Sequence, residues 1–145
     1  EEYFLKEIKP HIDGDRICYI ERMAFQDIVQ TMAKAKGFLF PLQLDEPFGM
    51  VVIEAMAAGT PVLAYGRGSM PELIQNGETG YLVENEQEMI EMTQRVATID
   101  RRRCRSWVQE HFSIEQMVDG YEQLYRKASV GRWNRNTEPE RHHAR

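Results

Sequence analysis

The stretch FLFPLQLDEPFGMVVIEAMAAGTPVLA, residues 38–64, decides the fold of this chain. Phe38-Leu39-Phe40 is an unbroken apolar run closed by Pro41, which has no amide to donate, and reads as a short buried strand. A loop from Leu42 to Phe48 leads into a helix expected from about Gly49 to Ala58, stopped by Gly59 as a glycine just past a helix stops it. Pro61-Val62-Leu63-Ala64 is a second apolar run of strand character. Strand, helix and strand with continuous rather than alternating apolar strands is the pattern of a parallel sheet covered on both faces.

The same rhythm extends in both directions. Downstream, a glycine-rich loop (Gly66, Gly68) precedes a short helix around Pro71 to Gln75, and Asn76-Gly77 marks a turn before the strand Tyr81-Leu82-Val83. Helices are expected over Glu86–Ile99, whose acidic first turn suits the positive end of the helix dipole, over Arg101–Glu110, and over Ile114–Ala128 with Ser113 as N-cap. Upstream, Tyr3–Ile8 has helical spacing and stops near Pro10, Asp13-Gly14-Asp15 is a turn, Ile17–Ile20 reads as a strand, and Phe25–Ala35 is amphipathic. The expected class is α/β, a doubly wound Rossmann-like domain over residues 1–130, followed by a polar tail over 131–145 without apolar periodicity, expected to be disordered.

Composition bounds the function. With 145 residues, 42% hydrophobic and 28% charged, the chain suits one globular domain, and no apolar run approaches the roughly 20 residues of a bilayer span. A net charge of −5 with scattered acids argues against nucleic-acid binding, while leaving room for a small anion held by backbone amides. Cys18 and Cys104 stand far apart with no metal-ligand neighbours, as expected of inert thiols in a reducing, cytoplasmic compartment. The sequence opens on Glu1, without a secretory or lipidation segment, and the expectation is a piece of a longer protein.

In an open parallel sheet ligands sit beyond the carboxyl ends of the strands, which directs attention to the loop after Phe40. That loop runs into a helix N-terminus, where unpaired N–H groups and the helix dipole favour a phosphate, and Gly49 has no side chain to hold a ligand off. Glu46 precedes the helix and Glu54 lies about one and a half turns into it, so two carboxylates flank the anion position. Ionised carboxylates are strong acceptors for sugar and ribose hydroxyls.

The string from Glu46 to Ala64 resembles the E-x7-E region of the retaining glycosyltransferase family 4, which has the two-domain GT-B architecture. The likeness continues through Gly68–Val83, and through Arg16–Ile20 with Phe38–Pro41, covering roughly residues 1–128. It implies the C-terminal, donor-binding half of a GT-B enzyme, incomplete on its N-terminal side, that moves a sugar from a UDP-, GDP- or ADP-linked donor with retention. By the same resemblance Glu46 is the catalytic-site residue that orients the donor sugar, Glu54 meets the ribose, and Phe48, Gly49, Met50 and Val51 offer amides to the sugar and diphosphate. Ile20, Glu21, Arg22 and Met23 border the base, with Ile28 beneath it. No cofactor or metal is implied, because fixed positive groups and the helix dipole stabilise the leaving diphosphate. The implied partners are the nucleotide sugar and an N-terminal acceptor-binding domain of the same protein, the piece itself being expected to bind donor weakly and not to turn over. Glu21 departs from the family's usual glycine, and Lys36 from its usual acidic residue.

Blander readings stand beside these. Two glutamates eight apart are ordinarily solvated surface, and Gly66-Arg67-Gly68 lacks the third glycine of a dinucleotide fingerprint. Arg101, Arg102, Arg103 and Arg105 form a basic run that is ordinarily a solvated face and alternatively a peripheral contact to anionic lipid or to the acceptor domain. Met50, Met56, Met89, Met92 and Met117, with Trp107, Tyr121 and Tyr125, read as packing residues. A phosphorylase of the same architecture and a non-catalytic nucleotide-sugar-binding module are the alternative functions.

Overall fold

The computed structural model describes residues 2–129; the tail expected over 131–145 lies outside the described residues. Three parallel strands, β1 (Phe38–Phe40), β2 (Val62–Tyr65) and β3 (Gly80–Val83), form a sheet in the order β1-β2-β3. Phe38 stands opposite Val62 and Val62 opposite Gly80, so all three run in register from a common end. Helices α1 (Phe25–Lys34), α2 (Met50–Ala57), α3 (Met70–Leu73), α4 (Glu86–Thr93), α5 (Arg101–His111) and α6 (Ile114–Ser129) complete the order.

The central strand shows why the run 62–65 is apolar throughout. Successive side chains leave opposite faces of a strand. Val62 and Ala64 join Val52, Ile53 and Met56 of α2 with Cys104 and Val108 of α5 on one face. Leu63 and Tyr65 join Val83, Met89 of α4 and Val96 on the other. Each fully buried large side chain contributes on the order of 1.5–3 kcal/mol relative to exposure. This is the expected α/β architecture, helices covering both faces of a parallel sheet.

Two expected elements come out differently. Ile17–Ile20 is not a strand. Asp13 Oδ1 accepts from the N–H groups of Asp15, Arg16 and Ile17 at 3.0, 2.8 and 2.8 Å, which captures the amides that would begin a ladder, and β1 pairs with β2. Those backbone donors, that of Ile17 foremost, also hold the Asp13 carboxyl below its usual pKa. The helix expected over Glu86–Ile99 ends at Thr93 and resumes as a tight 3-10 turn over Val96–Thr98. Thr93 Oγ1 donates to the Ile90 carbonyl at 2.6 Å, and the amides of Gln94 and Arg95 fall back on the carbonyls three residues before them.

The first segment forms a π-helical turn over Phe4–Ile8 and then a 3-10 turn over Lys9–His11 that contains Pro10. Ser113 caps α6 as expected, accepting the Gln116 amide at 3.3 Å. Met56 and Met89 are buried, but Met50 and Met117 are exposed, as are Tyr121 and Tyr125. For Met117, Tyr121 and Tyr125 the reason lies in α6, which carries its apolar residues on one stripe (Ile114, Met117, Val118, Tyr121, Leu124, Tyr125) and buries none of them.

Candidate functional site

The loop after β1 and the start of α2 hold the first group of candidate residues. Gly49 sits before the helix with φ 91° and ψ 52°, a left-handed conformation that only glycine enters cheaply. It turns the chain so that the first N–H groups of α2, at Met50 and Val51, lack internal acceptors and point out of the helix end. Glu46 folds back over this end: its Oε1 accepts from the Gly49 amide at 3.2 Å and, at the limit of a hydrogen bond, from the Phe48 amide at 3.5 Å. A carboxylate thus sits on the two amides just ahead of α2.

Around it, Phe48 and Met50 are exposed, Val51 and Glu54 are half-buried, and Gly49 is buried. Glu46 precedes α2 and Glu54 is its fifth residue. This end of α2 lies beyond the carboxyl end of β1, the position expected for a ligand in a parallel sheet.

The second group lies elsewhere. Ile20, Glu21, Met23 and Ile28 line one cavity of about 390 Å³ together with Met32, Phe38 and Thr60. Phe38 opens β1 and Thr60 precedes β2, so this cavity reaches the amino-terminal ends of those strands. One run of β1, about 7 Å at the usual strand rise, separates that end from the Glu46 loop. Arg22 is exposed. The structure thus gathers the candidate residues into two places, an anion position at α2 and an apolar cavity against α1.

The basic run turns out to be largely internal to the fold. Arg101 donates to the carbonyls of Ala35 and Ala33 at the end of α1, at 2.6 and 2.7 Å, and to Thr60 Oγ1 at 3.1 Å. Thr60, fully buried, donates in turn to the Met32 carbonyl. Arg103 contacts Gln75 at 2.6 Å and Glu78 at 3.2 Å and lies over the Trp107 ring, while Arg105 donates to the Ala57 carbonyl at 3.1 Å. Arg101 and Arg105 close the carbonyl ends of α1 and α2, where the helix dipole favours them. Arg102, beside Asp100 at 3.5 Å, is exposed, as is Arg105.

One contributor escaped the sequence reading. Ser69, which follows the glycine-rich loop of Gly66 and Gly68, packs with Gly68 directly on the Glu46 loop. Its only sequence signal is a serine one residue before a short helix with proline at its start, a pattern that predicts a cap and says nothing of which loop the cap touches.

Comparison with known proteins agrees with the fold. The family model described as "Glycosyl transferases group 1" matches residues 1–120. The chain is 32% identical over 123 residues to N-acetyl-alpha-D-glucosaminyl L-malate synthase of Bacillus anthracis, covering 79% of this chain and 31% of that protein. It is 37% identical over 103 residues to D-inositol 3-phosphate glycosyltransferase of Rhodococcus erythropolis, covering 65% of this chain and 23% of that one. Sucrose-phosphate synthase of Thermosynechococcus elongatus superimposes with a TM-score of 0.75 at 28% identity, over 90% of this chain and 34% of its own. The chain therefore spans about a third or less of each of these proteins. Among the described residues no helix is long and apolar enough to cross a membrane.

Proposed function

The chain belongs to the group 1 glycosyl transferases, and from that premise we propose that it is the donor-binding part of a retaining glycosyltransferase using a UDP-, GDP- or ADP-linked sugar. The observation that carries the reading is the amino terminus of α2, where an anion, the Glu46 carboxylate, is held by the Gly49 amide. The donor diphosphate takes this position with the amides of Phe48, Gly49, Met50 and Val51 as its donors, and the helix dipole stabilises its charge as the bond to the sugar breaks. Glu46, displaced from the amides, then turns to the hydroxyls of the sugar. It orients the ring for attack on the face from which the diphosphate leaves, and forms no covalent bond. Glu54, on the flank of α2, accepts from the ribose. The cavity bordered by Ile20, Glu21, Met23 and Ile28 takes the base on its apolar wall, with Arg22 at its rim.

The acceptor is held by a further domain of the same protein, which the share of its relatives' length covered by this chain supports. The exposed apolar stripe of α6 supports the same partner. A contact to anionic lipid through the basic run falls to Arg102, since Arg101, Arg103 and Arg105 are engaged within the fold.

Titration of UDP, GDP and ADP, free and sugar-linked, into isotope-labelled chain tests this reading. Amide shifts at Gly49–Val51 for one base, weakened about tenfold or more by Glu54→Ala, are expected from the loss of a charge-assisted hydrogen bond. Shifts confined to other regions, or identical titrations of the variant, would exclude it.

A further inference from the structure

We propose that Ser69 is a positioning residue for the donor site, acting by fixing the direction in which the Gly49 amide points; the inference rests on the donor-site reading above. Ser69 Oγ donates to the Phe48 carbonyl at 2.7 Å, and the Ser69 amide donates to the Glu46 carbonyl at 3.0 Å. One residue thus pins the loop at two carbonyls on either side of Pro47.

The consequence follows from the peptide unit. The Phe48 carbonyl and the Gly49 N–H belong to one planar peptide, here trans, and point in opposite directions within that plane. Holding the carbonyl on Ser69 therefore aims the N–H at the far side, where the Glu46 carboxylate sits at 3.2 Å. Because Gly49 has no side chain to limit rotation, the angle of this peptide rests on its two partners, Ser69 on the carbonyl and Glu46 on the N–H.

The brace is itself rigid. Ser69 is only 8% exposed, and Met70 and Leu73 behind it are at 2%. Trp107 Nε1 donates to the Leu73 carbonyl at 2.7 Å, tying α3 to α5 and so to the core. Gly68 makes the approach possible: its φ is 53°, and a Cβ there would lie 2.6 Å from the Glu46 carbonyl oxygen and 2.7 Å from the Glu46 nitrogen. Ser69 touches neither the candidate carboxylates nor the anion position; it acts through the loop. Errors of about 1 Å in such positioning can cost on the order of a hundredfold in rate.

The test compares wild type, Ser69→Ala and Ser69→Thr in the isotope-labelled chain, reading amide exchange at Gly49 and the UDP, GDP and ADP titrations. In Ser69→Ala the Gly49 amide is expected to exchange about tenfold faster while core amides such as Leu63 keep their rates, and nucleotide affinity is expected to fall about tenfold, the equivalent of one hydrogen bond. Ser69→Thr, which keeps the hydroxyl, restores both. A general loss of stability would instead accelerate Leu63 and Gly49 together, and that result overturns the proposal. So does a Ser69→Ala chain that binds nucleotide as wild type does. Silence of the wild type toward every nucleotide would sink the donor reading instead, and the Gly49 exchange rate alone would then decide whether Ser69 sets this peptide.

Discussion

Replacing Gly49 by alanine tests the central geometric claim. At φ 91° and ψ 52° an L-residue lies outside its comfortable regions, and the left-handed conformation costs on the order of 1–2 kcal/mol. The added Cβ would stand 2.7 Å from Met70 Cε and 3.1 Å from Leu73 Cδ1. The first neighbour is the end of a flexible side chain and can swing away; the second belongs to a branched residue that is 2% exposed and cannot move far. Overpacking of this kind costs about 1–3 kcal/mol. Together these give a loss of about 2–5 kcal/mol, a large part of a domain's usual 5–15 kcal/mol. At roughly 3–5 °C per kcal/mol for a chain of this size, the midpoint should fall by about 6–25 °C.

Thermal and urea unfolding followed by circular dichroism would measure it, and a cycle with Met70→Ala separates the two causes. Without the Met70 side chain part of the packing cost disappears while the backbone strain remains, so Gly49→Ala should then cost less, with a coupling of about 1 kcal/mol. A cost below about 0.5 kcal/mol in the wild-type background, within the range of ordinary surface substitutions, would refute both the left-handed turn and the close packing.

Arg101→Met should cost about 2–4 kcal/mol, because it leaves the Ala33 and Ala35 carbonyls and Thr60 without their charged donor; faster hydrogen exchange at the end of α1 should accompany the shift in urea midpoint. Burial pushes the Cys104 thiol up to about 11, so a thiol reagent at pH 7 should label the exposed Cys18 and spare Cys104, as mass spectrometry of the native chain would show. The sign of the linkage follows: the folded state holds this proton more tightly than the unfolded one, so its contribution is complete below pH 9 and is lost as pH rises towards 11. A Cys104→Ala chain should show a flatter stability profile over that window.

Residues 38–64 carried most of the architecture, because strand and helix periods, Pro41, Gly59 and the apolar run at 61–64 are local signals that a parallel sheet only has to accept. The place of Gly49 ahead of α2 was legible for the same reason: a glycine before a helix, with glutamates at 46 and 54, is written in nearly consecutive residues. Other features depended on distant partners. Ile17–Ile20 has the composition of a strand, but a strand exists only as a ladder, and Asp13 took its amides. Arg101, Arg103 and Arg105 look like a solvated face until α1, α2 and the loop after α3 bring carbonyls and side chains to them. That Ser69, more than twenty residues on, holds the Phe48 carbonyl and so aims the Gly49 amide follows from loops brought together by the crossover from β1 to β2. Local sequence sets which groups a loop offers, while the direction each group faces is set by contacts between segments far apart in the chain.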